Sequence, residues 1–403
     1  MSNPIQNKNI QLGVTGSIAA YKAAELASRL TQFGAQVDVI LTQSALQFIT
    51  PLTFQSVTAR RAYTDQDLWG REGHVTHISL GHAASILVVA PASANTIAKL
   101  AHGIGDNLLT VTALAATCPL LIAPAMDAGM YSHPATQTNI EILLKRGAYF
   151  VGPDEGHLAS GLTGKGRMVD PLEILGKIRW IMGLNGRLKG KKIVVTAGGT
   201  QEPIDPVRLI TNRSSGKQGY ALAQSALDLG AEVTLITAPT TLTPPIGSNV
   251  KHVRTSSEMY QTVLQEVSQA DLLVMAAAVA DFRPNHQSHQ KIKKSQSVPE
   301  ITLERTEDIL EAVLINKENT GFPKRVIGFA AETQNLVENA SVKMKKKHLD
   351  MIVANDVSSP DVGFEVDTNR VTLLFADGSR INLPAMQKTE VADEIIQRAS
   401  VWF

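Results

Sequence analysis

A single cysteine, Cys118, in 403 residues leaves no intramolecular disulfide to form. That usage fits a reducing compartment, and the expectation is a cytoplasmic protein. No excess of one charge exists either. The net charge of +1 supplies no global basic field for nucleic acid or a membrane surface, so neither is expected as a partner. Long hydrophobic runs are missing too. The most apolar segments, ILVVAPASA and LLVMAAAVA, fall far short of the roughly 20 residues that span a bilayer. The opening MSNPIQNKN lacks the apolar core of a signal peptide. What is present is ordinary for a folded chain. Apolar residues at 44% are enough for cores, and charged residues at 19% exclude a largely disordered chain. The length corresponds to two or three domains of about 150 residues each.

The most informative stretch is IVVTAGGTQEPIDPVRLITNRSSGKQGYALA, residues 193–223. Its β-branched start suits a buried parallel strand. Ala197-Gly198-Gly199-Thr200 lets the chain turn and expose amides, and a helical pattern begins near Ser214-Ser215-Gly216-Lys217. Between them lies a long polar insert with Glu202, Pro203, Asp205, Pro206, Arg208 and Arg213, more than a strand-to-helix turn requires. Such an insert reads as a binding loop.

The pattern occurs twice. IQLGVTGSIAAYKAAELASRLTQFGAQVDVILT, near the start, repeats the order of strand, turn, helix and strand. Gly34 and Gly230 fall at matching helix C-termini, where a left-handed residue is wanted. Alternating strands and helices predict an α/β fold of two tandem Rossmann-like three-layer domains with mainly parallel sheets, and ligands at the carboxyl ends of the strands. The glycine-rich, cationic GLNGRLKGKK marks a linker, which divides the chain into residues 1–186 and 187–403. Near the end, Asp377-Gly378 predicts a hairpin, and TEVADEIIQRASVWF a helix on a sheet face.

In the first half, Gly13-Val14-Thr15-Gly16-Ser17-Ile18 stands at a strand-to-helix junction, where amides and Ser17 suit a phosphate. A full GxGxxG is missing, and Leu41-Thr42 stands where a ribose-binding acid would be, which favours a mononucleotide over NAD. Ser93, Ala94, Asn95 and Thr96 open a helix after a buried strand and read as crevice residues or as helix caps. His77 reads as a structural histidine or a catalyst. Met126-Asp127 ends a third strand, with Asp127 facing the crevice or capping a helix. Cys118 precedes that strand and reads as core.

Together GSIAAYK at 16–22, PASANT at 91–96, His77, PAM at 124–126 and GKGRM at 164–168 resemble the flavin-dependent cysteine decarboxylases. The resemblance implies FMN, held by Gly16, Ser17, Ile18, Thr42, Ser93, Ala94, Asn95 and Met126, with His77 as the base that assists thiol oxidation. The implied chemistry makes a thioaldehyde, whose C=S beta to the carboxylate accepts the electrons left by carbon dioxide. Two positions depart from the family. Asp127 stands where an asparagine is usual, and Ser160 where a cysteine donates a proton. An ionised Asp127 would repel a substrate carboxylate unless protonated, turned away or bridged. A serine hydroxyl is a far weaker acid than a thiol. Ser160 relays a proton through water, or the half releases unreduced product, or it binds flavin without turnover.

The second half resembles phosphopantothenate–cysteine ligase over nearly its whole length. Five ordered elements carry this: the 193–223 stretch, AAAVADFRP, KIKK at 291–294, IGFAAET at 327–333 and KHLDMIVAND at 347–356. Decarboxylase followed by ligase is the order of the bifunctional proteins of coenzyme A biosynthesis. The resemblance implies 4′-phosphopantothenate, cysteine and CTP with Mg2+ as substrates, and an acyl-cytidylate intermediate. It also implies a homo-oligomer, a dodecamer by family analogy. Asn212 and Lys291 would be catalytic. Gly198, Gly199, Arg208, Ala277, Ala278, Asp281, Asp308, Ile309, Phe329, Lys343 and Lys347 would bind nucleotide or acyl substrate. Taken alone, KMKKKH reads as a solvated cationic surface. Rival readings are a working ligase fused to a slow or silent flavin half, a regulatory flavoprotein, and an NAD(P) reductase.

Overall fold

The computed structural model of the chain describes residues 3–69, 75–293, 300–332, 335–356 and 366–403. Two compact units divide it, Asn3–Met182 and Gly183–Phe403.

In the first unit, β1 (Asn9–Val14), β2 (Gln36–Leu41), β3 (Ala62–Tyr63), β4 (Ile86–Ala92), β5 (Leu120–Pro124) and β6 (Tyr149–Phe150) form one sheet in the order 3-2-1-4-5-6. Every neighbouring pair is parallel. Its helices are α1 (Ala20–Gln32), α2 (Pro51–Thr58), α3 (Thr76–Ala83), α4 (Ala94–His102), α5 (Leu108–Ala115), α6 (Ala128–Ser132), α7 (Pro134–Lys145) and α8 (Pro171–Gly183). All of β4 is buried, as an unbroken apolar run should be in a covered sheet. Alternate side chains serve opposite faces: Ile86, Val88 and Ala90 join α1 and α8 residues such as Leu26 and Ile178. Leu87, Val89 and Ala92 join Ile97, Leu109 and Leu143 of α4, α5 and α7. The result is the expected three layers. Cys118 packs on the second of these clusters, and burial pushes its thiol pKa up, which suits an inert core residue. A hairpin of β7 (Asp154–His157) and β8 (Thr163–Arg167) stands apart from the sheet.

The second unit repeats the plan and extends it. Its strands are β9 (Lys192–Ala197), β10 (Gln201–Pro203), β11 (Leu209–Thr211), β12 (Glu232–Thr237), β13 (Asn249–His252), β14 (Leu272–Met275), β15 (Phe282–Pro284), β16 (Leu303–Arg305), β17 (Arg325–Glu332), β18 (Met351–Asp356), β19 (Thr368–Phe375) and β20 (Arg380–Gln387). The main sheet runs 13-12-9-14-17-18-19-20, parallel as far as β18 and antiparallel through the last two strands. The helices are α9 (Lys217–Asp228), α10 (Ser256–Glu266), α11 (Ile309–Thr320), α12 (Leu336–Lys346) and α13 (Lys388–Ala399). The hairpin expected at Asp377-Gly378 joins β19 to β20, and the closing helix packs on α9 and those strands. The polar insert is not an open loop, because β10 and β11 pair within it. Among the described residues, no helix is long and apolar enough to cross a membrane.

Gly34 and Gly230 adopt the left-handed conformation beyond α1 and α9, as their positions predict. Gly219 has another reason to be glycine. A Cβ there would lie 2.5 Å from the Ala197 side chain and 2.9 Å from the Thr196 carbonyl, so α9 rests directly on the backbone of β9. In an unconstrained helix interior, glycine to alanine gains about 1 kcal/mol. Gly219→Ala is expected to reverse that sign and cost the second unit about 1–3 kcal/mol, because strand backbone cannot yield. Calorimetric melting of the variant reads this directly; an unchanged or raised transition would show that α9 can shift.

Candidate functional site

At the carboxyl edge of the second sheet, the ends of β14 and β17 and the starts of α9 and α11 surround a cavity of about 930 Å3. That volume suits a nucleotide-sized ligand. Of the expected residues, Asn212, Ala277, Ala278, Asp281, Asp308, Ile309, Phe329, Lys343 and Lys347 line it, whereas Gly198, Gly199, Arg208 and Lys291 do not. Lys294 and the polar run to residue 299 lie outside the described residues, as does Thr333.

The wall is built by backbone stitching between β9 and the chain after β14. Ala277 N donates to Thr196 Oγ1 at 3.1 Å, and Ala278 N to the Gly198 carbonyl at 2.8 Å. Ala280 N donates to Thr200 Oγ1 at 2.9 Å, and both threonines are fully buried. A Cβ on Gly199 would meet the Asn212 carbonyl at 2.9 Å. The two glycines are buried beneath the wall, and the contribution visible here is close backbone approach. Asn212 Nδ2 donates to the carbonyls of Ala278 and Val279 at 3.3 and 3.1 Å, which leaves its oxygen for a ligand.

Asp205 organises the insert. Its side chain is fully buried and accepts from Val207 N and Arg208 N at 2.8 Å each. It also accepts from the Arg208 guanidinium at 2.5 and 3.0 Å and from Ile292 N at 3.1 Å. The Arg208 guanidinium, helped by these N–H groups, holds the Asp205 carboxyl far below the usual carboxylate range against the effect of its burial. Arg208 also donates to the Ile292 carbonyl at 2.9 Å. Arg208 is thus engaged with the insert itself, and Asp205 anchors the segment that presents Lys291. The Asp-Pro-Val-Arg order signals an Asx turn; its link to Ile292 has no local signal.

Lys343 donates to the Phe329 carbonyl at 2.9 Å. Lys347 pairs with Asp308 at 2.6 Å and Glu311 at 3.1 Å. Burial works against the Lys347 charge, but those two carboxylates outweigh it and raise its pKa. Asp308 also caps α11 through Glu311 N at 3.1 Å. Lys217, Gln218, Asn355, Asn369 and Lys388 line the cavity as well, and no sequence motif marks them as ligands.

In the first unit, the carboxyl ends of four strands are cross-linked. Thr42 N donates to the Val14 carbonyl at 3.1 Å, and Thr15 Oγ1 to the Pro91 carbonyl at 2.7 Å. Ser93 N donates to Thr15 Oγ1 at 2.9 Å, and Ala125 N to the Ala92 carbonyl at 3.0 Å. These bonds bring Gly16, Ser17, Ile18, Thr42, Ser93, Ala94, Asn95 and Met126 to one edge. A Cβ on Gly16 would lie 2.5 Å from that of Ser44, so the turn is pressed tightly against the end of β2. Ser93 caps α4 through Thr96 N at 3.3 Å. At the start of α1, Ala20 N and Lys22 N turn back to the Ser17 and Ala19 carbonyls at 3.0 Å each and Ala19 N donates to Ser17 Oγ at 3.2 Å, while Ile18 in the same turn is 61% exposed.

His77 sits in the first turn of α3, half-buried, and no hydrogen bond joins it to the edge residues. Its Nδ1 is buried without a partner among the described residues, which a satisfied structural histidine would not show. Asp127 caps α6 through Gly129 N at 2.9 Å and accepts from Ser160 Oγ at 2.6 Å. The two departures from the resembled family therefore meet. The Ser160 hydroxyl, then Gly129 N–H, hold the Asp127 carboxyl below its usual range, so it is ionised and bridged.

Residues 1–182 match the family described as Flavoprotein, and residues 188–401 that described as DNA/pantothenate metabolism flavoprotein C-terminal domain. The coenzyme A biosynthesis bifunctional protein CoaBC of Bacillus subtilis (strain 168) is 44% identical over 396 residues, covering 98% of this chain and 97% of that protein. Its namesake in Vibrio cholerae is 42% identical over 394 residues, covering 97% and 98%. Among solved structures, the C-terminal domain of a CoaBC protein aligns at 41% identity with a TM-score of 0.46, over 54% of this chain and 97% of that one.

The Asp127–Ser160 bond carries a pH signature. A carboxyl whose folded pKa is depressed adds stability above its unfolded value of about 4, and that stability is lost as pH falls through the folded value. Acid-unfolding curves of the parent and Ser160→Ala are expected to separate above about pH 4 and converge below it. A constant offset at every pH would show that the hydroxyl does not act through Asp127.

Proposed function

The chain belongs to the family of bifunctional coenzyme A biosynthesis proteins, a flavoprotein domain followed by a ligase domain, and from this premise we propose that it joins cysteine to 4′-phosphopantothenate with CTP and then decarboxylates the product to 4′-phosphopantetheine. The observation that carries the ligase half is the cavity, which gathers nine of the expected residues beside the uncapped first turn of α9. A triphosphate needs amides, cations and a carboxylate. That wall offers the α9 amides, Lys343 and Lys347, and Asp281.

In the first step, a carboxylate oxygen of 4′-phosphopantothenate attacks the α-phosphorus of CTP, and pyrophosphate leaves. In the second, the cysteine amine attacks the acyl carbon, loses a proton, and CMP leaves. Asn212 holds the acyl group as charge develops, with its amide nitrogen already fixed by Ala278 and Val279. Lys291 supplies positive charge to the transferring groups, from a segment that Asp205 anchors. Mg2+ enters on the nucleotide, with Asp281 one of the carboxylates that line the cavity.

The edge of the first unit fits a flavin: a tight Gly16 turn at the N-terminus of α1 for its phosphate, exposed Ile18 for a ring face, and the Nδ1 of His77, which has no partner among the described residues. Gly16, Ser17, Ser93 and Asn95 would hold FMN, whose redox chemistry supplies the electron sink that decarboxylation of a cysteinyl carboxylate requires. His77 Nδ1 takes the thiol proton. The Asp127–Ser160 bond favours a second reading, a slow decarboxylase. Its hydroxyl proton is pinned to an ionised carboxylate, and by the resemblance that carboxylate takes the position of an asparagine that would hold the substrate carboxylate. The same family reading makes the chain cytoplasmic and homo-oligomeric, as a dodecamer.

Incubation of the protein with 4′-phosphopantothenate, cysteine, CTP and Mg2+, followed by mass analysis, tests both halves. Phosphopantothenoylcysteine is expected; its absence sinks the ligase reading. Its formation without loss of carbon dioxide favours the slow half, and a colourless protein that cannot take up FMN excludes the flavin. Asn212→Ala and Lys291→Gln are each expected to depress ligation by about a hundredfold or more with bound flavin unchanged. Asp205→Ala, although it removes a buried group, is expected to lower ligation by about a hundredfold through misplacement of Lys291. Full activity in that variant would show that the anchor is dispensable.

A further inference from the structure

One wall of the ligase cavity contains a buried cation with no neutralising partner among the described residues. Helices α9 and α13 pack together and both begin there, with Lys217 and Lys388 as their first residues. Lys388 is only 6% exposed and lines the cavity. Its ammonium has no hydrogen bond or ion pair among the described residues. Burial, and then Lys217 beside it, push its pKa below the usual lysine range, with Asp367 opposing. Lys217 itself pairs with Asp367 at 2.5 Å, a rim contact since Asp367 is 70% exposed. An ammonium buried without a counter-ion is destabilising by itself, and an arriving anion relieves it.

A chain of side-chain amides fixes what stands next to it. Gln218 Nε2 donates to the Lys388 carbonyl at 3.2 Å, and a carbonyl can only accept. The Gln218 oxygen therefore accepts from Asn369 Nδ2 at 3.0 Å. This leaves Asn369 Oδ1 buried with no partner among the described residues, on a residue that is 3% exposed and also lines the cavity. Flipping either amide would set two donors or two acceptors face to face, so the assignment is determined by the carbonyl at its end. The wall thus presents a spare cation and a spare acceptor side by side. A hydrated phosphate satisfies both, with its oxygens on the ammonium and its bound water donating to Asn369. The first turn of α9, whose N-cap Gly216 is left-handed and offers no side chain, adds amides from the same direction.

We infer that Lys388, with Lys217 and Asn369, forms the subsite for the terminal phosphates of the nucleotide and for the pyrophosphate that leaves. The identity of the ligand rests on the ligase reading; the place of the subsite rests on the wall itself. Lys388 then neutralises the leaving group as the bond between the α-phosphorus and the bridging oxygen breaks, and so favours transfer to the carboxylate. The same chemistry would serve the phosphate of 4′-phosphopantothenate, and the experiment separates the two sources.

Titration of the full-length protein with inorganic pyrophosphate alone reads the subsite without any turnover. Binding is expected, weakened about tenfold or more in Lys388→Met, the loss of one charge-assisted contact, and largely recovered in Lys388→Arg. In turnover, Lys388→Met should raise KM for the nucleotide and leave that for the acyl substrate unchanged. A rise confined to the acyl substrate assigns the wall to its phosphate and overturns the inference. So does equal pyrophosphate affinity in folded Lys388→Met, or no binding by the parent. Lys217→Met, at a half-exposed position, is the second variant if Lys388→Met does not fold, and it is expected to move the same readouts in the same direction. Absence of ligation by a parent that still binds pyrophosphate through Lys388 would sink the ligase reading and leave the subsite standing.

Discussion

A buried carboxylate is tolerable only where donors surround it, and Asp205 shows how that requirement organises a loop. Its oxygens gather the turn amides of Val207 and Arg208, the Arg208 guanidinium, and the amide of Ile292. Without Asp205 the turn that follows β10 would lose its common acceptor, and the segment with Lys291 would lose its bond at the Ile292 amide. With it, two segments remote in sequence become one wall. The Arg208 side chain, the more conspicuous residue, owes its position to Asp205. The cation that looks like a ligand is in large part scaffold, and the acid that looks like surface is the centre of the arrangement.

The same division between scaffold and surface runs through both units. At the carboxyl edges, buried threonines, close-packed glycines and backbone carbonyls hold neighbouring strand ends together. This rigid edge carries the residues that face ligands: Asn212 with its nitrogen committed and its oxygen available, Lys388 without a counter-ion among the described residues, His77 with an unpartnered nitrogen. A polar group left unsatisfied at such an edge is one that an arriving ligand can satisfy.

Much of the fold is legible in the sequence because it is written locally. Runs such as ILVVAPASA and IVVTA specify buried parallel strands, and Gly34 and Gly230 mark helix ends by their need for positive φ. The rule that ligands meet open sheets at strand carboxyl ends points to the same edge at which the cavity around Asn212 and Asp281 lies. What escapes is long-range. The bond from Ile292 to Asp205 spans 87 positions and that from Ser160 to Asp127 spans 33, and no periodicity announces either. Lys388 stands just ahead of the helix that TEVADEIIQRASVWF predicts; only the docking of α13 on α9 buries it. Gly198-Gly199 reads as a phosphate cradle, yet what is visible in the fold is the close approach of two backbones.

The hydrogen bond between Ser160 and Asp127 also has a historical meaning. Where the resembled family carries cysteine and asparagine, this chain carries a serine and an aspartate that satisfy one another. Residues in contact are rarely independent in their effects. Restoring the cysteine alone would set a thiol against an ionised carboxylate, and restoring the asparagine alone would strip the serine of its charged acceptor. Each half-step loses a matched partner, so the two positions are epistatic. Exchanging both positions together is expected to cost less than the two single exchanges added, because neither partner is left without its match.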